Sequence, residues 1–254
     1  MSRTALVTGA SSGLGAEFAR QLAATGADLV LVARDRGALE TLSAELGRDH
    51  AVSCEVLTAD LTTREGLDAV AARLREPERP VGVLVNNAGF GLDLRFERND
   101  PLQEERHLDL HVRATMRLTH AALGAMLLRG GGRIINVASV AAFLPRGTYG
   151  AVKAWVVSFS RWANITYSSR GVSVTAVCPG FTHTDFHARM GLAAGEEGVP
   201  PFLWLDAGDV VRAGLRDAAR GRAVSVPSLR YKALVTAARL LPSRLVARLA
   251  EAGR

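Results

Sequence analysis

Short apolar runs recur along the chain, each followed by a stretch whose apolar positions repeat every three to four residues. The runs cover residues 5–8, 28–33, 52–59, 81–85, 133–138, 172–177 and 223–226. They are continuously apolar rather than alternating, as strands covered on both faces are. The intervening patterns, at 13–25, 36–46, 64–75, 102–128, 149–170 and 207–219, predict helices. Strands alternating with helices predict an α/β fold, a doubly wound parallel sheet of about seven strands with helices on both faces.

Two segments depart from this rhythm. Residues 181–205 are long and irregular and contain MGLAAGEEGVPP, rich in Gly, Ala and Pro. A loop of that length in a compact domain is usually a lid or binding loop. Residues 229–254 form a basic amphipathic tail. Leu234, Ala238, Leu241, Leu245 and Leu249 fall near one helical face, and Pro242 breaks or kinks it. Such a helix packs on the domain or a second subunit, or rests on an anionic membrane surface. No internal repeat or linker divides the 254 residues, so one domain over 1–254 is expected.

Composition narrows the class. The chain is 48% hydrophobic and 22% charged, enough for a sizeable core. No run approaches the roughly 18 apolar residues of a membrane span. The start, MSRTALVTGA, lacks a secretory layout, so a cytoplasmic location is expected. The only cysteines, Cys54 and Cys178, sit in strand-like runs and read as core thiols; no metal site is expected. The net charge of +6 comes from scattered basic residues, of which only Lys153 and Lys232 are lysines. A positive surface favours anionic small ligands, and nothing resembles a nucleic-acid motif.

The first strand ends in TGASSGLG, with glycines at 9, 13 and 15 ahead of a helical pattern. Glycine permits a tight turn and close backbone approach to a pyrophosphate, and the helix N-terminus offers free N–H groups. Ser11 and Ser12 add hydroxyls. A plain strand–turn–helix connection uses glycines too, so the pattern alone is weak. The second strand ends in LVLVARDR. Ala33 brings no carboxylate for the ribose of NAD(H), whereas Arg34 can pair with the 2′-phosphate of NADP(H). Asp35, one residue on, is the counter-indication, and the plainer reading of Arg34, less favoured by its placement, is an ordinary surface arginine.

These motifs resemble those of the short-chain dehydrogenases/reductases. TGASSGLG is similar to the family's TGxxxGxG, placing Gly9, Ser11, Ser12, Gly13, Leu14 and Gly15 at the cofactor. Asp60 and Leu61 follow the third strand, where the family contacts adenine. Asn86-Asn87-Ala88-Gly89 matches NNAG, with Asn87, Ala88 and Gly89 lining the cofactor site. Ser139 follows the fifth strand, Tyr149 and Lys153 form YxxxK, and Pro179, Gly180, Thr182 and Thr184 resemble the segment near the nicotinamide. The resemblance covers at least residues 4–186. It implies a Rossmann-type domain, a homodimer or homotetramer built through two long helices, and a small carbonyl or alcohol substrate.

The YxxxK spacing has a physical reason. Tyrosine titrates near about 10. A lysine four residues on shares its helix face, and its ammonium draws the phenol toward the range useful for acid–base work. The resemblance then implies that Tyr149 exchanges a proton with the substrate oxygen, that Ser139 holds that oxygen, and that Lys153 also grips the ribose. A lone pair of this kind is more often an exposed helical pair. Two departures stand out. His111 occupies the place of an asparagine that holds a relay water; it can hold that water, relay a proton itself, or simply pack. Ser139 and Tyr149 are only ten residues apart, which indicates a shortened loop at the substrate mouth. If His111 marks lost chemistry, the alternative is a silent NADP(H)-binding sensor.

Phe90, Leu92, Val140, Phe143, Leu144, Phe181, Phe186, Met190, Phe202 and Trp204 are candidate pocket residues and point to a hydrophobic substrate, although several pack the core. For His183 and His187 no acidic or cysteine partner completes a metal site, and they read as surface histidines.

Overall fold

The computed structural model describes residues 2–92, 95–184 and 200–241. Seven strands form one sheet: β1 (Thr4–Thr8), β2 (Leu29–Ala33), β3 (Cys54–Thr58), β4 (Val81–Asn86), β5 (Gly132–Val137), β6 (Val172–Val177) and β7 (Val224–Ser225). The order is β3-β2-β1-β4-β5-β6-β7, with every neighbouring pair parallel. The expected doubly wound sheet is therefore observed.

Residues along each strand divide between the two faces with a period of two. Ala5 and Val7 join one buried cluster and Leu6 the other; Leu29 and Leu31 oppose Val30 and Val32. On the first face pack α1 (Gly13–Ala23), α2 (Arg36–His50) and α7 (Ala207–Ala219), through Phe18, Leu39, Leu42, Leu46 and Val211. On the second pack α3 (Arg64–Arg75) and α5 (Thr115–Leu128), through Leu67, Val70, Leu118 and Met126, with Ala163 of α6 (Gly147–Tyr167) beside them. Both faces being covered explains why the strands read as unbroken apolar runs.

Helix starts follow local chemistry. Asp35, Thr63, Asp100 and Asp206 accept backbone N–H bonds at the starts of α2, α3, α4 (Pro101–Leu108) and α7. The stretch expected as one helix over 102–128 is continuous, but a π-helical turn, Asp109–Ala114, separates α4 from α5. Periodicity does not reveal such a widened turn, because it adds one residue without ending the helix. The helix over 36–46 extends to His50, where Ala51 closes it in a left-handed conformation. The strands at 52–59 and 223–226 are shorter than expected.

The tail begins as α8 (Leu229–Leu240), and Leu241 turns extended before Pro242. The expected apolar face is corrected: Leu234 is exposed, while Tyr231 and Val235 are buried. Tyr231 turns inward because its hydroxyl accepts from Phe181 N at 3.1 Å and donates to Leu203 O at 2.9 Å. Leu245, Leu249 and most of the 181–205 segment, including Phe186, His187 and Met190, lie outside the described residues. Among the described residues no helix is long and apolar enough to cross a membrane. Cys178 is buried and Cys54 half-buried, where burial pushes its thiol up.

A buried polar chain ties the sheet to the helices of its second face. Asn86 Nδ2 donates to Asn136 Oδ1 (2.9 Å) and Thr119 Oγ1 (3.1 Å); Asn136 Nδ2 donates to Ser160 Oγ (2.9 Å), which donates to Val156 O (2.7 Å). Replacing one member strands its partners away from water. Asn136→Ala is therefore expected to cost about 2 kcal/mol, read from the midpoint shift in urea denaturation. A loss within error of zero would show that neighbours re-pair without it.

Candidate functional site

The site lies outside the C-terminal ends of the strands, where β1 and β4 adjoin and the strand order reverses. Such a switch point leaves a crevice between helices that run to opposite faces. The turn from Gly9 through Ser11, Ser12, Gly13 and Leu14 to Gly15 leaves β1 and enters α1. Gly9 and Gly13 have positive φ, 66° and 53°. A Cβ on Gly15 would overlap the Gly9 carbonyl and the Asn87 amide, so only glycine lets the helix come this close to the sheet. The first turn of α1 has no acidic residue and no side-chain cap, unlike α2, α3, α4 and α7. That leaves the positive end of its dipole available to an anion. The cradle fits the pyrophosphate of a dinucleotide.

The neighbouring strand ends complete the crevice. Thr8 Oγ1 accepts from Asn87 N (3.0 Å) and Ala88 N (3.1 Å), and Asn87 Nδ2 donates to Thr8 O (3.0 Å). Arg34 is exposed just past β2, while Asp35 is engaged at the start of α2, accepting from Ala38 N at 3.0 Å. Asp60 follows β3 and accepts from Thr62 N and Oγ1 (2.9 and 2.8 Å); with the nearby Arg34, these bonds hold its carboxyl below the usual range despite the opposing effect of burial. Leu61 is buried beside it. Beyond β6, Pro179 and Gly180 lead to Thr182, whose hydroxyl donates to Gly180 O at 3.0 Å. Thr184 faces the glycine turn: a Cβ on Gly13 would lie 3.3 Å from its side chain.

At the end of β5, Ser139 caps a short 3-10 turn, accepting from Ala141 N at 3.1 Å. Its hydroxyl also hydrogen-bonds Tyr149 in the first turn of α6, close across the shortened loop. Lys153, one turn on, is 4% exposed; its Nζ donates to Val137 O at 2.8 Å and stands 5.6 Å from the centre of the Tyr149 ring. Burial pushes Tyr149 up to about 12, against the pull of the Ser139 bond, and Lys153 down to about 7. Burial thus favours the neutral form of each group, and Lys153 is brought to the point where it exchanges a proton near neutral pH.

His111, from the π-helical turn, reaches the same place. It is 2% exposed, with Nε2 2.8 Å from Phe90 O, and its ring meets Tyr149 edge-on at 5.9 Å between centroids. A Cβ on Gly89 would overlap this ring, so the last glycine of NNAG makes room for the histidine. Sequence reasoning missed His107, whose ring lies 4.4 Å from His111 and 6.0 Å from Tyr149.

Of the expected pocket residues, Phe143 and Phe181 pack with Val140 and Leu203 beside the Ser139 end. Trp204 lies 5.8 Å from Phe181 and stacks on the exposed His183 at 4.7 Å. Arg146 covers the Phe181 ring at 5.8 Å. Phe202 is exposed.

Residues 3–193 match the family model described as short chain dehydrogenase. The oxidoreductase UcpA of Salmonella typhimurium is 34% identical over 187 residues, 72% of this chain and 70% of that protein. A short-chain dehydrogenase from Sphingobium yanoikuyae, solved in complex with NADPH, superposes with a TM-score of 0.84 at 38% identity over 93% of both chains. The bulky-bulky ketone specific alcohol dehydrogenase from Comamonas testosteroni superposes at 0.80 with 34% identity, over 93% of this chain and 92% of that one. A family match over three quarters of the chain, on a sheet whose crevice carries the family's motifs in order, makes this protein a member of the short chain dehydrogenase family of oxidoreductases.

Proposed function

We propose that the protein is an NADPH-dependent carbonyl reductase or alcohol dehydrogenase acting on a bulky apolar substrate, with Tyr149 as general acid/base. The observation that carries this reading is the half-buried Tyr149, hydrogen-bonded to Ser139, with the buried Lys153 one helical turn on, at the mouth of the dinucleotide cradle. When bound there, the reduced cofactor supplies a hydride. The Tyr149 phenol gives a proton to the substrate oxygen, which Ser139 holds in place. Lys153 keeps an amine beside the phenol; protonated, it favours the phenolate. An assembled set of this kind supports turnover over a silent sensor.

Several residues would hold the cofactor. The turn of Gly9, Ser11, Ser12, Gly13, Leu14 and Gly15 would take the pyrophosphate, and Asp60 with Leu61 the adenine. Asn87, Ala88 and Gly89 would line the ribose side, with Pro179, Gly180, Thr182 and Thr184 toward the nicotinamide. NADP(H) is favoured over NAD(H) because Arg34 stands exposed at the end of β2 while Asp35 is engaged at its helix start. The similar Sphingobium yanoikuyae protein was solved with NADPH.

The apolar cluster of Val140, Phe143, Phe181 and Trp204 supports a bulky ketone, aldehyde or secondary alcohol, in line with the Comamonas testosteroni relative. We further propose that the whole chain acts as one domain and self-associates through its two long helices. Met116 and Leu128 on α5, and Trp162 and Ile165 on α6, are apolar and exposed.

Three outcomes test this reading. With aryl alkyl ketones, wild type is expected to consume NADPH, while Tyr149→Phe binds the nucleotide equally well and turns over at least about 100-fold more slowly. Equal rates would sink the acid/base assignment. Arg34→Ser is expected to lower the preference for NADPH over NADH about tenfold through loss of a charge-assisted bond, measured as the ratio of kcat/KM values. The third outcome concerns pH. The folded Lys153 titrates at about 7 and the unfolded one near 10.5. Between those values the unfolded chain binds the extra proton, so stability rises with pH across that window. Without nucleotide, the unfolding free energy of wild type relative to Lys153→Met is expected to climb from about pH 7 to about pH 10. A flat difference would show the amine is not held in a dry site.

A further inference from the structure

Helix α4 and the π-helical turn that follows it are turned the wrong way round for an ordinary amphipathic helix. Leu102 and Leu108 are 63% and 51% exposed, while Glu104, His107 and His111 are buried. These three stand at i, i+3 and i+7, one continuous stripe facing inward. Burying polar groups while exposing leucines opposes folding, and local choices that oppose the fold concentrate at functional sites.

His107 is the unusual member. It is 0% exposed, and neither ring nitrogen has a hydrogen-bond partner among the described residues. The Phe90 carbonyl lies near enough to favour the charged form of both rings, but it meets hydrogen-bond geometry only with His111. His111 is thereby fixed through Nε2, and its ring packs at a tilt of 59° against His107. Phe90 meets His107 edge-on at 5.4 Å from another side. The His107 ring is thus held by packing alone, with two nitrogens open, beside Tyr149 and within the field of Lys153. Glu104, one helical turn back, is near enough to favour the charged ring, and its Oε1 accepts from the half-buried Asn99 at 2.7 Å. Among the described residues no third histidine, cysteine or carboxylate joins the two rings in a set able to hold a metal ion.

We propose that His107 is a built-in proton relay, passing protons between the Lys153–Tyr149 pair and solvent by way of Glu104, with His111 as the positioning residue that holds the relay ring. This rests on the reductase reading above. For each carbonyl reduced, one proton leaves Tyr149 and one must return. Lys153 restores the phenol, His107 gives a proton to the lysine from one ring nitrogen, and the other nitrogen takes one from solvent past Glu104. An imidazole suits this task because it can accept at one nitrogen while releasing at the other. Burial and the lysine charge hold His107 down to about 4. The ring therefore rests neutral and adds no charge next to Lys153.

The test compares wild type, His107→Ala, His107→Gln, Glu104→Gln and Tyr149→Phe, with NADPH and an aryl alkyl ketone, with and without added imidazole. A relay role predicts that His107→Ala lowers kcat about tenfold, leaves both KM values within about twofold, and recovers kcat saturably with imidazole. Wild type should gain nothing from imidazole. His107→Gln, which fills the space and cannot pass a proton through, should lose the same activity and covers the case in which the alanine variant fails to fold. Unchanged kcat, a loss confined to the ketone KM, or a loss in a folded alanine variant that imidazole leaves untouched each overturns the relay; the second makes His107 a substrate contact. If Tyr149→Phe is as active as wild type, the reductase reading fails. If it is silent while the His107 variants run at full rate, only the relay fails. A readout independent of turnover is the ring 15N NMR shifts of His107, expected to move in Tyr149→Phe and Lys153→Met. Identical shifts in all three proteins count against the relay even if no ketone in the assay is a substrate.

Discussion

The clasp between Thr8 and Asn87 is the interaction on which the rest of this architecture depends. β1 and β4 lie side by side, but the helices that follow them depart toward opposite faces of the sheet. Something must hold the two strand ends together while the layers above them part. Thr8 does so by accepting two backbone N–H bonds from the β4 end, and Asn87 returns an amide bond to the Thr8 carbonyl. With Gly9 and Gly15 lacking side chains, α1 starts directly against this joint. The crevice, the exposed dipole of α1 and the position of Gly89 under His111 all follow from that arrangement. A side chain at Gly15 would open the joint before it touched any ligand.

Much of this was legible in the chain. The sheet is predicted by seven apolar runs alternating with helical repeats, because covering both faces of a parallel sheet leaves few polar positions to confuse the reading. The glycine turn, NNAG, Ser139, and Tyr149 with Lys153 could be placed because each sits at a strand end or a helix start, where composition marks the boundary. Hidden features depend on contacts distant in sequence. Tyr231 belongs to a tail whose leucines dominate the pattern, yet its hydroxyl is drawn inward by backbone groups of Phe181 and Leu203. The π-helical turn changes register without changing composition. His107 carried a faint signal, since it shares an inward stripe with Glu104 while Leu102 and Leu108 face out. A histidine scored as neutral in an apolar count does not disclose which side of a helix it takes.

Electrostatics unites these parts. Burial drives Tyr149, Lys153, His107 and His111 toward their neutral forms. The phenol is pushed up to about 12, Lys153 is held down at about 7, His107 at about 4, and His111 well below its ordinary value. A pocket that disfavours charge on four such groups favours states in which protons are shared rather than separated. A positive charge placed there opposes a second positive charge on its neighbours and favours the phenolate, and burial weakens the screening of both effects. Proton movement through such a site is favoured when it is concerted, one group losing as the next gains.

That requirement explains why the inward stripe of α4 is polar. An apolar stripe at Glu104, His107 and His111 would pack the second face of the sheet more cheaply, but it would leave Tyr149 and Lys153 dependent on the open crevice for every proton. The crevice is also where a dinucleotide and an apolar substrate would enter, closing it to water. A site sealed on the ligand side needs its protons from the other side, and the described residues provide titratable groups there on α4 and the turn that follows. The stripe, the glycine that makes room for His111 and the joint that fixes that glycine thus form one chain of constraint, from the β1–β4 contact to the proposed relay beside Tyr149 and Lys153.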